Sequence, residues 1–537
     1  MFLSSIISED FRLWQPNTTV IINAPTGCGK TTFNKRILLP YAIENNKEIL
    51  YASNRVALDR QVKKEVCEFL GIPYSYIEGE SYVELPGITL ATYQALEERL
   101  DPNNFHNGIP FYHYVVFDEI HYLRTDSHFN PKVQRILEWM KTAKCAVKIV
   151  MSATIESTLP YLDYYDTAWM DVYESEYLII RERFSNKNIL NCLKGVPERM
   201  FVYTVPAIKP KYKIWVYEEL EELVEVINAD NTEEKWLIFQ SNIVKAKKKL
   251  ADNIDKEWKL LTADAKETEE MNQIIRNNRF EAKVLITTKV LDCGVSIHDK
   301  HLKNLVVETT DPEEFLQMIG RRRLQEGEDV ELNLYIPKLS QKYFSNSLRM
   351  RIEPDIEFLN MSESERLKNI IASPKGYDRA KRFCDIRGLQ LIINPIAVDV
   401  LEAERQYFKK VEAAMADDEM YFVKEQLRWI NAESEFSKVI FTRKLRIKKA
   451  HEELERMLLR AENHELDKEQ QNTFKEFCAE KLHVILSERF LDKNRTIGKR
   501  VIEDCFKEIG LSFVIETVGG KKKGEGTKWT IRRLEQS

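Results

Sequence analysis

The chain has 537 residues, too many for one compact core at about 100–200 residues per domain, so three or four units are expected. Its 80 basic and 85 acidic side chains leave a formal net charge of −5, which excludes a global basic field and restricts nucleic-acid binding to local grooves. The eight cysteines, from Cys28 to Cys505, form no C-x-x-C pair and no Cys/His cluster at zinc spacing, so neither a disulfide framework nor a structural zinc is indicated.

The N-terminus meets Glu9 and Asp10 before any long apolar run and has no basic lead-in, and no later stretch is apolar enough to span a bilayer. A soluble, cytoplasmic protein with no membrane contact is expected. From Thr19 to about Pro337, short Val- and Ile-rich runs alternate with helix-period segments, the pattern of parallel sheets covered by helices. The runs include Val20-Ile21-Ile22, Ile49-Leu50-Tyr51, Tyr114 to Phe117, Val147 to Val150, Trp236 to Phe239, Val284 to Ile286 and Leu305 to Val307. They fall into two clusters, predicting an α/β chain with two parallel-sheet domains over 1–165 and 210–340, joined by a connecting segment at 166–209.

After the first predicted strand stands Ala24-Pro25-Thr26-Gly27-Cys28-Gly29-Lys30-Thr31-Thr32, which fits a phosphate loop with Ala in place of the first Gly. Glycines let the backbone curl so that N–H groups from Thr26 to Thr32 surround phosphates. Lys30 neutralises their oxygens, and the Thr31 hydroxyl is offered to Mg²⁺. Asp118-Glu119-Ile120-His121 then ends the strand Tyr114 to Phe117, where an open α/β sheet presents its ligand-binding groups. A carboxylate there can hold Mg²⁺ through water, here Asp118, and its neighbour Glu119 can polarise an attacking water. ATP and Mg²⁺ are therefore the expected ligands.

In this order the motifs resemble those of superfamily 2 helicases, with Asp118-Glu119-Ile120-His121 as the DExH-box element, and the resemblance covers residues 18 to 337. It implies two RecA-like domains in tandem. Tyr51 to Arg55 resembles motif Ia and Thr92-Tyr93-Gln94 a strand-binding loop. Met151-Ser152-Ala153-Thr154 resembles motif III, Phe239-Gln240-Ser241 motif IV, and Thr287 to Ile297 motif V. The resemblance implies nucleic-acid contacts from Arg55, Thr92, Gln240, Ser241 and Thr288, coupling through His121, Ser152, Ala153 and Thr154, and a nucleotide contact from Gly294.

Motif VI resembles Gln317 to Arg323, preceded by Asp311 as N-cap, Pro312 at the first helical position and Glu314 at the capping-box position. The family role of this face implies that Gln317 meets the water or phosphate and that Arg321 is an arginine finger. The family's further arginine falls at Leu324, so Arg323 is taken as the second finger, with Arg322 as the alternative. The adenine-reading glutamine of DEAD-box relatives has no counterpart, Gln15 being poorly placed, which implies loose nucleotide selectivity.

Beyond Pro337 the pattern turns helical. Asn394-Pro395 starts a helix whose stripe is Ala397, Leu401, Phe408, Val411 and Met415, and a helical domain is expected over 341–464. Arg443 to Lys449 is followed by acids at i,i+4 spacing, as on a solvated helix. Over 465–537, helices near Phe474 to Leu491 and Ile497 to Glu508 precede a hairpin of Ser512 to Thr517 and Lys528 to Arg533, turned through Lys521, Lys522 and Lys523. This resembles a winged-helix module, whose lysines would grip nucleic-acid backbone, and equally fits a small packing domain with a solvated lysine turn; the region could also receive protein partners.

Three functions fit these residues: a helicase that separates strands, a translocase or remodeller that does not, and a nucleotide-switched binding or sensing module. Lys30, Glu119 and Arg321 argue for active hydrolysis in each. No nuclease constellation appears in the sequence.

Overall fold

A computed structural model describes residues 3–25, 28–53, 56–103, 108–143, 146–161, 200–205, 210–262, 273–274, 277–288, 297–324, 328–387, 390–486, 497–518 and 527–534. The chain forms two compact units, one of Met1–Ile214 with Asp230–Lys438 and one of Trp215–Ala229 with Val439–Ser537.

The first sheet comprises β1 (Thr19–Asn23), β2 (Ile49–Ser53), β3 (Tyr82–Leu85), β4 (Ile88–Thr92), β5 (Tyr114–Asp118), β6 (Val147–Ser152) and β7 (Met200–Thr204), in the order β3-β4-β2-β5-β6-β1-β7. All neighbours are parallel except β3 and β4. Side chains alternate between faces, which makes the unbroken apolar runs intelligible. Ile21, Leu50, Val115, Phe117 and Val150 enter one core, and Val20, Ile22, Ile49, Tyr51, Val116 and Ile149 the opposite one. β7 was not anticipated: it lies within the stretch expected as a connection, yet pairs with β1 from Thr19↔Met200 to Asn23↔Thr204.

β1, β5 and β6 sit side by side with Asp118 opposite Met151 and Asn23 opposite Ser152, so their C-terminal ends meet at one edge. That juxtaposition brings together three motifs that are far apart in sequence.

The second sheet includes β8 (Lys211–Tyr217), β9 (Lys235–Gln240), β10 (Trp258–Leu261), β11 (Val284–Thr287), β12 (Leu302–Glu308) and β13 (Glu331–Pro337), in the order β10-β11-β9-β12-β13-β8. β12 lies parallel to both β9 and β13 and leads into the helix Pro312–Ile319. Asp311 caps that helix, its Oδ1 accepting from the N–H groups of Glu313 at 2.8 Å and Glu314 at 3.1 Å, while the Glu314 carboxylate accepts the Thr309 hydroxyl.

The helical region follows the expected stripe. Asn394 Oδ1 accepts from Ile396 N at 3.1 Å, Pro395 opens a helix to Ala414, and Ala397, Leu401, Phe408, Val411 and Met415 are buried in one cluster. A short hairpin of β14 (Cys384–Arg387) and β15 (Gln390–Ile393) precedes it.

In the second unit, β16 (Ile440–Phe441) pairs with Trp215 and Val216, and the helix Thr442–Ala461 lies against Leu220–Ala229. Thr442 donates to Glu222, and Arg443 and Arg446 pair with Glu218 just before the neighbouring helix and Glu225 on it, so two of the basic residues have partners there besides the i,i+4 contact Lys448–Glu452. Leu454 and Leu458 of this helix join the core of the C-terminal module, although the sequence placed them in the helical domain ending at 464. The same core takes Phe474, Cys478 and Leu482 from Lys468–Ile485, Ile502 and Phe506 from Lys499–Glu508, and Ile515, Trp529 and Ile531 from a sheet ordered β17 (Glu465–Leu466), β19 (Lys528–Arg533), β18 (Phe513–Val518). Among the described residues, no helix is long and apolar enough to cross a membrane.

Candidate active site

Gly29, at φ 86°, caps the helix that begins with Lys30; a left-handed cap so close to β1 favours a residue without Cβ. The helix start carries Lys30 into a buried position at the edge where β5 ends. Its Nζ donates to Glu119 Oε1 at 2.8 Å and lies 3.8 Å from Asp118 Oδ1. Burial works against the Lys30 charge, but the two carboxylates outweigh it and hold the amine above its ordinary range. For Glu119, burial raises the carboxyl while Lys30 and His121 pull it down, and the net effect is a group held well below the carboxylate range.

Glu119 has φ 54°, a left-handed conformation that non-glycine residues rarely adopt. This turn ends β5 and swings the carboxylate toward Lys30, with Ile120 N secured on Met151 O at 3.0 Å. Backbone strain of this kind, on the order of 1–3 kcal/mol, persists only where surrounding contacts hold it. His121 Nδ1 supplies one, 3.3 Å from Glu119 Oε2 and 3.1 Å from Ser152 Oγ.

Asp118 is held differently. Tyr51 donates its hydroxyl to Asp118 Oδ2 at 2.6 Å, Tyr93 donates to the Asp118 carbonyl at 3.0 Å, and Thr31 shares a hydrogen bond with Tyr51. Asp118 Oδ1 is buried with no hydrogen-bond partner. An orphaned carboxylate oxygen linked through Tyr51 to the Thr31 hydroxyl fits a Mg²⁺ site built of oxygen ligands. Burial, only partly offset by Lys30, raises the Asp118 carboxyl, a penalty that a bound cation would relieve.

From the second sheet, the helix Pro312–Ile319 brings Gln317 to 3.4 Å from Thr154 Oγ1. Thr154 N–H donates to Ser152 Oγ at 3.0 Å, and the Thr154 hydroxyl donates to Glu313 Oε1. Ser152 is buried, Thr154 half-buried and Ala153 exposed. Arg321 Nε donates to Gln317 O at 3.1 Å. Arg323 lies close enough to Glu119, Cys28 and Lys30 for each to feel its charge, and its guanidinium is held below the ordinary arginine value by burial and by repulsion from Arg321. An anion between the two domains would stabilise it. Arg322 points elsewhere, donating to Leu302 O, to Arg323 O and to Glu328.

Several expected contacts are placed otherwise or lie outside the described residues. Thr92 is buried, its Oγ1 capping the helix Tyr93–Arg99 through Ala95 N at 3.2 Å, and Gln240 is buried between Glu308 and Asn242. Their neighbours Gln94 and Ser241 are exposed, and Thr288 is half-buried. In the phosphate loop, Cys28 and Thr31 are half-buried and Thr32 is exposed. Thr26, Gly27, Arg55, Gly294, Lys521, Lys522 and Lys523 lie outside the described residues.

Sequence reasoning missed three participants. Tyr51 reads only as the start of the motif Ia segment, with no role at the carboxylates, and its adjacency to β5 is what aims its hydroxyl at Asp118. Arg124 lies on the short helix Tyr122–Thr125 after the carboxylates and pairs with Asp311 at 2.8 Å and Glu313 at 2.7 Å. Glu313 reads as an acidic residue in a helix's first turn, a favourable place on dipole grounds alone.

The family model "Type III restriction enzyme, res subunit" matches residues 4–157, and the model "Helicase conserved C-terminal domain" matches residues 216–323. No curated protein matches the chain. Among solved structures it is similar to S. cerevisiae Dbp5 bound to RNA and ADP BeF3, with 17% identity, 60% of this chain and 79% of that chain covered, and a TM-score of 0.41. It is also similar to the Mycobacterium smegmatis helicase Lhr bound to ssDNA and AMP-PNP, at 16% identity, 64% and 46% coverage and TM-score 0.37. A third is the Escherichia coli DEAH/RHA helicase HrpB, at 13% identity, 95% and 61% coverage and TM-score 0.39. The two family matches, falling in this order on a chain with two parallel-sheet domains, support a superfamily 2 helicase, an ATP-dependent enzyme in type.

Proposed function

We propose that the protein is a DExH-type ATPase, stimulated by nucleic acid, that uses hydrolysis to move along a strand and separate it from its complement. The observation that carries this reading is the buried Lys30–Glu119 contact at 2.8 Å, with Arg323 of the second sheet domain within electrostatic reach. The family match over 4–157 covers the phosphate loop and the carboxylates, which supports the motor part of this reading.

Arrival of the nucleotide's phosphates gives Lys30 a stronger partner and releases Glu119, which His121 keeps oriented toward an attacking water. Glu119 is then a carboxylate poised to accept a proton. Asp118 and Thr31 would hold Mg²⁺, which when bound neutralises phosphate charge. Gln317 orients the water or phosphate, and Arg321 and Arg323 meet the charge that develops on the transferred group. Loss of that group removes what draws the arginines toward the phosphate loop, and two domain arrangements then grip a strand differently. The strand is proposed to cross both sheet domains, past exposed Ser241 and Gln94.

The test is strand displacement on tailed DNA and RNA duplexes of both polarities, with and without ATP. Lys30→Ala is expected to abolish hydrolysis and displacement, and Glu119→Gln to bind nucleotide yet stall the chemical step. Wild-type turnover in both variants would remove the site assignment. Hydrolysis and movement without displacement would leave a translocase.

A further inference from the structure

Arg321 can act on a phosphate held by Lys30 only if the helix Pro312–Ile319 is aimed at the first sheet domain. The face that does the aiming is visible. Glu313 and Gln317, four apart, lie in one row along the helix, and Arg321 follows the C-cap Gly320 with its Nε donating to Gln317 O at 3.1 Å. At the N-terminal end of that row, Glu313 is 4% exposed and uses both carboxylate oxygens on the first domain. Oε2 accepts from Arg124 Nη1 at 2.7 Å, and Oε1 accepts the Thr154 hydroxyl. Arg124 Nη2 meanwhile donates to Asp311 Oδ2 at 2.8 Å, on the residue whose other oxygen caps the helix. Arg124 follows His121 by three residues, and Thr154 follows Ser152 by two, so both anchors sit where β5 and β6 end.

Resting on the nucleotide-hydrolase reading above, we infer that Arg124, Asp311 and Glu313 are positioning residues that set the helix Pro312–Ile319, and so Gln317 and Arg321, in register with the phosphate loop. An arginine fork shared by two carboxylates fixes direction as well as distance, and a lysine in its place would hold charge without that geometry. Two surfaces merely pressed together would not need it. The bridge joins Arg124 and Thr154 to Asp311 and Glu313, so its loss should leave nucleotide binding intact while misplacing the groups that act at the transition state.

The experiment is a double-mutant cycle in the full chain on Arg124→Gln and Glu313→Gln. It reads kcat at saturating ATP and nucleic acid, KM for ATP, affinity for a fluorescent ATP analogue, and thermal unfolding. Each single variant is expected to lose roughly ten- to a hundredfold in kcat, with KM and analogue affinity within about threefold of wild type. The double variant should be no worse than the worse single one, because each change breaks the same bridge. Arg124→Lys should recover only part of the loss, and together with Glu313→Gln it keeps the question answerable if Arg124→Gln unfolds early. Unchanged kcat, additive losses in the double variant, or a loss confined to nucleotide affinity would overturn the proposal. Lys30→Ala separates the two levels of the argument. Wild-type hydrolysis in that variant would overturn the site reading and this proposal with it, whereas Lys30-dependent hydrolysis indifferent to the bridge overturns the bridge alone.

Discussion

Three consecutive arginines, Arg321, Arg322 and Arg323, have different surroundings and so different expected losses. The Arg322 side chain is 1% exposed and tied to Glu328 at 2.5 Å and to backbone carbonyls, so Arg322→Ala leaves a carboxylate and carbonyls without their donor. It should lower unfolding free energy by about 3 kcal/mol, as for other broken buried pairs, with turnover per folded molecule retained. Arg321→Ala and Arg323→Ala should instead unfold near the wild-type temperature and lose turnover, by roughly a thousandfold for a full arginine finger. Thermal melts with single-turnover hydrolysis decide it, and a turnover loss larger in Arg322→Ala than in Arg323→Ala would reverse the choice of second finger. The triplet was legible as a motif, but which guanidinium turns inward was not, since that depends on the bridge Ile297↔Arg322 between distant segments.

A second prediction at this scale concerns Glu97, buried beside the stacked pair Tyr93 and Tyr122. Its carboxylate accepts from Tyr122 at 2.7 Å and from Asn130 at 3.0 and 2.9 Å, yet burial dominates and raises its pKa from 4.5 to about 7. Between those values the folded state holds a proton that the unfolded chain has released, so stability falls as pH rises through this window. The loss amounts to at most about 3 kcal/mol, and it is complete above the folded value. Glu97→Gln keeps an acceptor without the charge. Denaturant titrations from pH 4.5 to 8 should show a flatter profile in the variant and greater relative stability at pH 8; parallel profiles would dismiss Glu97 as the titrating group.

Among elements, the β14–β15 hairpin depends on a contact that its own sequence does not announce. Asp385 is 2% exposed and takes a two-pronged hydrogen bond from Arg135, Nε at 2.8 Å and Nη2 at 2.6 Å, while Arg387 reinforces the same carboxylate. Asp385→Ala should cost roughly 3 kcal/mol in a urea titration by taking from Arg135 its two-pronged partner and leaving it Asp101 at 3.1 Å, whereas Arg135→Met with Asp385→Leu should cost less, since burying neither charge removes both desolvation penalties. Equal costs would show that the hairpin is held by other contacts. Local signals were readable where they are local: Asn394-Pro395 caps its helix as its chemistry requires, and Asp311-Pro312 does the same. β7 was unreadable for the opposite reason. Met200 to Thr204 is a short apolar run after a long stretch, and only pairing with β1 distinguishes a strand from a packed connection.

At the scale of the whole molecule, the C-terminal module closes a small core around the two strands β18 and β19. Trp529 and Ile531 on β19 are buried with Phe474, Phe506 and Ile515, so the return strand is anchored from within. The segment between β18 and β19, outside the described residues, carries Lys521, Lys522 and Lys523, which the sequence reads as a turn. If these lysines neutralise duplex phosphates, each contributes about −0.9 to the slope of log affinity against log salt. Replacing all three by Gln should weaken duplex binding and flatten that slope with little change in sequence preference, because phosphate contacts position a protein without reading bases. Salt titrations of both proteins, with thermal melting as the folding control, provide the measurement. Coincident slopes would return the turn to the role of a solvated tip.

The alternation of apolar runs and the ordered motifs carry the two-sheet architecture on their face, because buried parallel strands must be apolar on both sides and a phosphate loop needs its glycines, lysine and threonine in sequence. What required the folded chain is everything that joins residues far apart. The order β2-β5-β6-β1 sets Tyr51 against Asp118 and Lys30 against Glu119, and the meeting of Arg124 with Glu313 spans 189 residues of separation. Such contacts leave no periodicity or spacing behind them, since a charged side chain on a helix reads the same whether it faces water or a partner across a domain boundary.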